Sequence, residues 1–302
     1  MNVFIAGGSG AIGVPLIRQL IAAGHQVTAS TRSEANARML RDLGATPVVA
    51  DALDPEALRQ AVVGAHPTHV VHQLTALPKG GPKNARDLDA TNRLRIEGTR
   101  NLIAAAVAAG AQRIIGGSFA PIAASGENVP KDVNPAAEAV HSMESQILDA
   151  SRSGRIEGVV LRYGLFYGPA AGSTIEMIAM LKRRMLPAIL GDRSLLPCIH
   201  VDDAAAATIS ALTRATAGST YDIVDDQAVS FSELVRALAA AAGAPRPIAV
   251  PKWVPRLIAP YSSRMIALRL PLSNAKARAD LGWRPMYPTI HEGLRQTMPH
   301  AA

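Results

Sequence analysis

The sequence predicts an α/β fold, with a doubly wound parallel sheet and a small discontinuous C-terminal lobe. Two observations lead to this prediction. The apolar run at 3–6 passes directly into a glycine-rich segment at 7–13, which is typical of a buried strand that turns into a helix. Strand and helix patterns then alternate over residues 1–165, and this rhythm favours parallel strands with helices on both faces of one sheet.

The glycine segment after the first strand predicts where a dinucleotide binds. Its residues fit both G-x-G-x-x-G and G-x-x-G-x-x-G. Without a Cβ atom, the glycines turn tightly, let a pyrophosphate approach the backbone and let the next helix pack closely on the strand. Free N–H groups at the start of that helix then face the anion. The candidate residues are Gly7, Gly8, Ser9, Gly10, Ala11, Ile12 and Gly13.

Strand and helix signals follow one another regularly through residues 1–165. Apolar runs predict strands at 3–6, 26–31, 47–50, 69–74, 113–117 and 157–163. Helices are predicted between them at 14–23, at 34–43, from 55 onward, at 85–109 and at 135–152. Asp54 caps the third of these helices, and Pro55 occupies its first turn. Glycines end three of the helices: Gly24, Gly44 and Gly110.

Beyond residue 165 the pattern of signals is looser. A helix is predicted near 174–185, and Asp202 is predicted to cap another helix. The segment 220–224 is typical of a further strand. Ser230 and Glu233 form a capping box before an alanine-rich helix.

The last part of the chain is the least regular, and it sets the predicted domain organisation. Prolines are dense from 243 to 271, and a last helix is expected after Ser273. These mixed signals predict a second lobe that is built from discontinuous segments. The predicted division is a dinucleotide-binding domain at 1–165, continued by about 199–230, and a smaller substrate-binding lobe at 166–198 and 231–302.

Composition limits the kind of protein this chain can be. Hydrophobic residues make up 48% and charged residues 18%, as in an ordinary globular protein. No apolar run reaches the ~18 residues that cross a bilayer, and no secretory signal pattern precedes the first strand. The single cysteine, Cys198, excludes an intramolecular disulfide and fits a reducing compartment. We therefore expect a cytoplasmic protein without a membrane partner.

The net charge of +7 raises the question of a nucleic-acid partner. The basic residues are interpreted as scattered, with the densest group at 182–184 near a helix end, and aromatic residues make up only 4%. We therefore expect no nucleic-acid partner. His66, His69 and His72 are regularly spaced but cross a loop–strand boundary, so no metal site is expected either.

Several motifs along the chain match those of one protein family in the same order. The segment 7–13 resembles its nucleotide-binding loop, and 51–54 (Asp-Ala-Leu-Asp) resembles its acidic stretch after the third strand. Asn92 with 98–102 (Gly-Thr-Arg-Asn-Leu) resembles its long-helix signature. Three more segments resemble its later motifs: 161–169, 199–204 and 281–285. Over nearly its whole length, the chain resembles the extended short-chain dehydrogenase/reductase superfamily, of the NAD-dependent epimerase/dehydratase type.

This resemblance implies a Rossmann domain with a nicotinamide dinucleotide, and it extends the set of candidate cofactor residues. In the family, the first Asp of the acidic stretch contacts adenine, and the sixth strand ends beside the nicotinamide. Loops beyond the carboxyl ends of strands border the ligand crevice. The added candidates are Asp51, Ala52, Leu74, Thr75, Ala76, Asn92 and Tyr163. Lys79 and Lys83, in the loop after the fourth strand, are interpreted as solvated charges.

The end of the second predicted strand indicates which dinucleotide is preferred. NAD sites of this fold place a carboxylate on the ribose hydroxyls, roughly 20 residues after the glycines. That window holds Thr31, Arg32 and Ser33, with no carboxylate before Glu34. Arg32 fits the 2′-phosphate of NADP, and Thr31 or Ser33 adds a hydroxyl. We therefore predict NADP, with NAD as the alternative; a solvated Arg32 that opens a helix is the competing interpretation.

The catalytic signature of the family is absent at the expected place. Members use Tyr-x-x-x-Lys on the helix after the fifth strand, where the Tyr transfers a proton and the Lys lowers its pKa. Glu144 resembles the Glu four residues after that Lys, and this register puts Ala136 and Val140 at the Tyr and Lys positions. A shift of one residue brings in His141 but still no Tyr. The chain therefore resembles the divergent, atypical branch of the superfamily.

Three residues are candidates for the missing catalytic groups. Ser118 precedes Phe119, which stands at the family's Ser/Thr position, and it is either a donor to substrate or a strand-end hydroxyl bonded to the backbone. His141 has a suitable unperturbed pKa, with a surface histidine as the alternative. Tyr163 stands close to the expected nicotinamide, where either its hydroxyl or only its backbone takes part.

These observations predict an NADP(H)-binding oxidoreductase that moves a hydride to or from a small, fairly apolar carbonyl or alcohol. Two alternatives stay open: an epimerase or dehydratase that retains its cofactor, and a non-catalytic NADP(H) sensor or scaffold. Nucleotide-sugar enzymes of the family often carry an Arg before the 199–204 motif, where this chain has Leu196, and this disfavours a diphosphate ligand. The resemblance also implies a homodimer paired through the two long helices.

Overall fold

The computed structural model describes residues 1–78, 80–123, 134–267 and 269–298. Its strands are β1 (Asn2–Ala6), β2 (Gln26–Thr31), β3 (Thr46–Val49), β4 (His69–His72), β5 (Arg113–Phe119), β6 (Glu157–Tyr163), β7 (Leu165–Tyr167), β8 (Ala188–Ile189), β9 (Cys198–His200), β10 (Thr220–Ile223) and β11 (Ala249–Val250). Its helices are α1 (Gly13–Ala22), α2 (Glu34–Asp42), α3 (Pro55–Ala65), α4 (Asp89–Arg93), α5 (Thr99–Ala108), α6 (Ala120–Ala123), α7 (Asn134–Arg152), α8 (Gly172–Lys182), α9 (Val201–Arg214), α10 (Phe231–Ala241), α11 (Trp253–Ile258), α12 (Pro260–Ile266), α13 (Ala275–Leu281) and α14 (Ile290–Thr297).

Seven of these strands form one parallel sheet in the order β10-β6-β5-β4-β1-β2-β3. The strand order reverses at β1, which has β2 on one side and β4 on the other. In open α/β sheets, ligands bind in the crevice beyond the carboxyl ends of the strands at such a switch point. The fold class predicted from the sequence is confirmed, and the sheet places the glycine segment at this crevice.

Helices cover both faces of the sheet. On one face, α1 and α9 pack together over a core that includes Leu16, Ile115 and Leu161. On the other face, α3, α5 and α7 pack over a core that includes Ile114 and Val160. The neighbours Ile114 and Ile115 belong to different cores because successive side chains of a strand point to opposite faces. Buried strands of this kind have nearly continuous apolar sequences, as the sequence analysis expected.

A third core lies outside the main sheet. Here α8, α10 and α14 pack around Tyr167, Leu181 and Leu238, and the short strands β8 and β11 pair beside them. The strand pair β7–β9 connects this core to the end of β6. Among the helices that the structure describes, none is both long enough and apolar enough to span a bilayer.

Three local elements differ from the sequence prediction. The helix predicted at 85–109 begins with a 3-10 turn, Ala85–Leu88, and a π-helical stretch, Leu94–Gly98, separates α4 from α5. His200, rather than Asp202, caps α9, since its Nδ1 accepts the N–H of Asp202 at 3.2 Å. The proline-dense segment 243–271 contains the two short helices α11 and α12.

Candidate functional site

The glycine segment forms a turn of bare backbone between β1 and α1. Gly7 has a φ of +88°, and a Cβ atom there would lie 2.6 Å from the carbonyl oxygen of Gln73. A Cβ on Gly8 would lie 2.7 Å from that of Ala29, and one on Gly13 would collide with the backbone of Gly8. The turn therefore requires glycine for its φ at the first position and for close packing at the other two.

The start of α1 presents unused N–H groups beside this turn. The backbone N–H groups of Ala11 and Ile12 donate to none of the residues that the structure describes, and no side chain caps α1. The side chain of Asn36 donates to the Ser9 hydroxyl at 3.3 Å and ties the turn to α2. A helix N-terminus with free donors and a positive dipole end binds phosphate. This arrangement fits the pyrophosphate of a dinucleotide.

The three candidates at the end of β2 have different surroundings. Thr31 is buried, and its Oγ1 accepts the N–H of Ser33 at 3.5 Å. The Ser33 hydroxyl caps α2 by accepting the N–H of Asn36 at 3.2 Å. Arg32 is exposed, and it forms no ion pair within the described ranges of the chain. Arg32 is therefore the exposed cation of the three, and the exposed Ser33 hydroxyl, which only accepts in the cap, keeps its O–H to donate.

Asp51 and Ala52 form the turn after β3. The Asp51 carboxylate is exposed, and one of its oxygens accepts the N–H of Leu53 at 2.9 Å. Ala52 is buried, and its carbonyl accepts the side-chain N–H of Asn101 at 2.9 Å. The turn is thereby fixed to α5, with the second carboxylate oxygen of Asp51 facing solvent.

His72 closes β4 next to the switch point. It is fully buried, and burial lowers its pKa to about 4, so the ring is neutral at pH 7. Its Nδ1 accepts the N–H of Leu74 at 3.3 Å. The ring proton therefore sits on Nε2, which donates to Thr99 Oγ1 at 2.8 Å. The neutral tautomer fixes the path of the chain into the loop after β4.

The remaining candidates after β4 lie on both sides of the crevice. The N–H of Ala76 donates to Thr91 Oγ1 at 3.0 Å, and Thr75 is exposed. Asn92 is buried, and its Oδ1 has no hydrogen-bond partner in the part of the chain that the structure describes. Lys79 lies outside the described residues. A buried amide oxygen without a partner is typical of a site that a ligand completes.

Ser118 takes part in a buried network between strands and helix. Its hydroxyl donates to Glu144 on α7 at 2.5 Å. Arg162 on β6 donates two hydrogen bonds to the same carboxylate, at 2.9 and 2.6 Å. Both Ser118 and Glu144 are buried. The Ser118 hydroxyl is therefore directed to α7, and it links β5, β6 and α7 rather than facing the crevice.

The other two catalytic candidates lie on opposite faces of the sheet. His141 is exposed on α7, with Nε2 3.4 Å from the carbonyl oxygen of Ala123. Tyr163 is buried on the opposite face of the sheet, where its hydroxyl contacts Gln73 at 3.2 Å and Thr208 at 2.7 Å. Burial raises the pKa of Tyr163 to about 12. The structure does not bring the three side chains together.

The positions of the family's Tyr and Lys lie in a small apolar cluster. Ala136 and Val140 on α7 pack there with Leu88, Ile122 and Tyr261. Tyr261 is contributed by α12 of the second lobe, and it is buried. The cluster therefore closes the space between the Rossmann domain and the C-terminal lobe with apolar side chains and one phenol.

Arg95 is a buried cation near the end of β4 that the sequence analysis did not single out. It lies in the π-helical stretch, is only 7% exposed, and its Nη1 has no hydrogen-bond partner among the described residues. Burial lowers its pKa to about 10, so the guanidinium is still charged at pH 7. Its charge adds to the effect of burial in lowering the pKa of His72, and Tyr261 interacts electrostatically with it. Arg95 is therefore a buried cation within electrostatic range of His72 at the end of β4 and of Tyr261 on α12.

Arg95 and Tyr261 differ in whether the sequence could have indicated them. Arg95 stands three residues after Asn92, so both occupy one side of the same helix. Tyr261 lies in the proline-dense stretch 243–271, where the sequence carries no periodic signal. The first residue was therefore within reach of sequence reasoning, whereas the second required the packing of the two lobes.

Known proteins resemble this chain over most of its length. Residues 3–225 match the model of the NAD dependent epimerase/dehydratase family. The chain belongs to this family. A 3-diazoavenalumate denitrifying reductase of Streptomyces is 35% identical to it, over 97% of this chain and 99% of the relative. A 2-alkyl-3-oxoalkanoate reductase of Stenotrophomonas maltophilia is 29% identical, over 82% of this chain and 77% of the relative.

A solved structure shows the same architecture. UDP-glucose 4-epimerase of Thermus thermophilus, in complex with NAD, superimposes with a TM-score of 0.79 at 25% identity, covering 99% of this chain and 98% of the epimerase. Family membership makes this protein a nucleotide-binding oxidoreductase or epimerase. The bare glycine turn, the open start of α1 and the unpartnered amide of Asn92 fit the nicotinamide dinucleotide of the family.

Proposed function

We propose that this protein is an NADP(H)-dependent reductase of a small, fairly apolar carbonyl compound. The observation that carries the proposal is the make-up of the crevice, where one buried cation, Arg95, lies beside the apolar cluster that contains Tyr261. A fixed cation with an unused donor stabilises the charge that develops on a carbonyl oxygen. Apolar walls with few polar groups fit an apolar substrate. The 2-alkyl-3-oxoalkanoate reductase named above supports reduction of a carbonyl, whereas the denitrifying reductase supports only a reductase in general.

The cofactor side of the proposal rests on residues already described. The glycine segment and the start of α1 would hold the pyrophosphate, and Arg32 would pair with the 2′-phosphate of NADP. Asp51 would meet the adenine. The reduced nicotinamide supplies a hydride when it is bound.

The protein's own part in the reaction is to bind the substrate and to supply a proton. The guanidinium of Arg95 donates a hydrogen bond to the carbonyl oxygen and stabilises the alkoxide that forms there. The hydroxyl of Tyr261 then delivers its proton to that oxygen, because the nearby cation stabilises the phenolate that is left. Ala136 and Val140 exclude water from this space.

The test combines binding with turnover. NADPH and NADH binding are first measured by the fluorescence of the reduced nicotinamide. NADPH consumption is then followed with benzaldehyde, acetophenone and ethyl 2-methylacetoacetate, and the alcohol product is identified by mass spectrometry. We expect NADPH to bind and at least one of these carbonyls to be reduced. Tight binding without any consumption would favour a sensor, and inversion of a carbinol without net consumption would favour an epimerase.

A further inference from the structure

The net positive charge of this protein comes from one segment. Residues 234–279 contain eight of the 31 Lys and Arg residues and none of the 24 Asp and Glu residues. The rest of the chain therefore holds 23 basic against 24 acidic residues and is nearly neutral. The basic residues are spread along the chain, and this segment is distinguished by its lack of acidic residues. The eight are Arg236, Arg246, Lys252, Arg256, Arg264, Arg269, Lys276 and Arg278.

Some of these charges are used inside the fold, and three remain open beside α11. Arg278 pairs with Asp226 at 3.0 Å, and Lys276 donates to a backbone carbonyl of β10. Arg246, Lys252 and Arg256 are exposed, and within the described ranges none of the three forms an ion pair. An unneutralised group of cations attracts an anionic surface.

The helix α11, next to these cations in the sequence, also carries large apolar side chains that are exposed to solvent. On α11, Trp253 is 64% exposed, and Leu257 and Ile258 are each 77% exposed. At the strand pair β8–β11, Ile248 is 58% and Leu190 is 53% exposed. Monomeric proteins keep contiguous apolar patches small, so a group of this kind marks a surface that another phase or molecule covers.

The strand pair β8–β11 leads directly into α11. Backbone hydrogen bonds join β8 to β11, from Ala188 N–H to the Ile248 carbonyl at 2.9 Å and from Leu190 N–H to the Val250 carbonyl at 2.8 Å. Lys252, which immediately precedes α11, approaches Gly191. We call the surface formed by Leu190, Arg246, Ile248, Lys252, Trp253, Arg256, Leu257 and Ile258 the α11 face.

In place of the expectation from composition that the protein has no membrane partner, we propose that the α11 face docks it onto an anionic lipid surface. Trp253, Leu257 and Ile258 enter the boundary between headgroups and acyl chains, while Arg246, Lys252 and Arg256 meet lipid phosphates. Tryptophan flanked by Lys and Arg next to large aliphatic side chains is the composition that such a boundary selects. Each cation near an anionic bilayer strengthens binding, and the apolar side chains add the burial that charge alone does not provide.

Charge decides between a lipid surface and a second copy of this chain. In a two-fold dimer through the α11 face, the same cations would approach one another, because the eight residues of that face include no Asp or Glu. An anionic membrane provides that complement along the whole face. The absence of a spanning helix among the described residues is compatible with docking in the plane of the surface.

The experiment uses the full chain and vesicles of defined composition. Protein is sedimented with vesicles of phosphatidylcholine alone or of phosphatidylcholine with phosphatidylglycerol, and tryptophan emission is recorded. Trp283 is only 3% exposed, so a change in emission reports Trp253. We expect sedimentation with the anionic vesicles, at least tenfold weaker binding to neutral ones, and a blue shift of the emission.

Variants identify the surface. The double variant Leu257→Ser/Ile258→Ser should lose vesicle binding at least tenfold, and Lys252→Ser/Arg256→Ser should lose it to a similar degree on anionic vesicles only. Met286→Ser, at a side chain that is 71% exposed elsewhere, should bind as the parent does. Far-UV circular dichroism melts verify that each variant is folded. No sedimentation of the parent, or unchanged binding by either double variant, would overturn the proposal. A dimer in sedimentation velocity that Leu257→Ser/Ile258→Ser dissociates would do so as well.

Discussion

Arg95 is held where a charge reduces stability. It is buried, and the structure gives its Nη1 no hydrogen-bond partner within the described residues. Replacing such a charge by an apolar residue of similar size is often neutral or stabilising. If Arg95 polarises the substrate, Arg95→Met should keep or raise the melting temperature and bind NADPH normally. Its turnover should fall by about a hundredfold or more, the loss typical of removing a donor to a developing oxyanion.

A matched control for Arg95→Met lies on the same helix. Arg93 is exposed and pairs with Glu97 at 3.0 Å, so Arg93→Met removes a cation without changing the crevice. We expect its turnover to equal that of the parent protein. Full turnover in Arg95→Met, measured with whichever of the three trial carbonyls the parent protein reduces, would exclude Arg95 from the reaction.

His72 couples the stability of the protein to pH. Burial lowers its pKa to about 4, whereas an unfolded histidine has a pKa of about 6.5. Between these values the unfolded chain binds more protons, so stability falls as the pH is lowered from about 6.5 towards 4. The loss from this residue should reach about 3 kcal/mol. Urea unfolding of the parent and of His72→Gln at several pH values measures it, and an equally steep dependence in the variant would contradict the assignment.

Arg32 should determine the choice between the two dinucleotides. It is exposed at the end of β2, and the Ser33 hydroxyl beside it is engaged in capping α2. A charge-assisted contact with the 2′-phosphate predicts that Arg32→Ala weakens NADPH binding about tenfold or more and leaves NADH binding unchanged. Arg38→Ala, on the exposed side of α2, is the control. Fluorescence titration decides, and tighter binding of NADH than of NADPH by the parent would also contradict the prediction.

At the scale of elements, the Glu144 carboxylate holds β5, β6 and α7 together. It accepts hydrogen bonds from Ser118 and from Arg162, and it is buried. Glu144→Gln removes its charge and leaves the guanidinium without its partner, so we expect a loss of about 3 kcal/mol in chemical denaturation. Glu138→Gln, exposed on the same helix, should change stability by less than about 0.5 kcal/mol. Equal effects of the two substitutions would show that the network does not stabilise this junction.

The regular elements were predictable where their signals are local. β2 and β6 have the predicted bounds, since each apolar run lies between clear turn or helix signals. The π-helical stretch Leu94–Gly98 was not predicted, because residue periodicity does not mark one wide turn inside a helix. The helices α11 and α12 were not predicted, because Pro255 and Pro260 favour a loop. Proline is nevertheless tolerated in the first turn of a helix, and both prolines lie there.

At the scale of the whole molecule, the candidate cofactor site and the proposed substrate site differ in how much of each the sequence predicts. The glycine turn is one continuous segment, so the spacing of its glycines is enough to predict how the backbone turns. The crevice combines Arg95 from a helix between β4 and β5 with Tyr261 from the second lobe. No spacing rule relates two such positions, because only the packing of the lobes brings them together. Ser118 shows the opposite case. Its position in the sequence suggested a donor to the substrate, but the structure directs its hydroxyl to Glu144 on α7.

The likeness of the whole fold to sugar-nucleotide enzymes does not include the Arg that the resemblance implies for holding a diphosphate. Leu196 stands where the resemblance implies an Arg in such enzymes; it is buried in the second-lobe core and bridges to Val229. Arg193, three residues earlier, is exposed. A diphosphate requires charge-assisted donors, and a buried leucine provides none. We therefore expect UDP-glucose and dTDP-glucose to leave the melting temperature unchanged in the presence of NADPH.

A thermal-shift measurement with NADPH present checks this expectation, with NADPH itself as the positive control and uridine as the matched nucleoside. Binding to the folded state alone raises the melting temperature in proportion to the logarithm of ligand concentration over its Kd, so sub-millimolar affinity is detectable. Stabilisation by the sugar nucleotides but not by uridine would mean that the second lobe recognises a diphosphate from another direction. An epimerase would then become the better description, because it holds its cofactor and a sugar nucleotide in the same crevice.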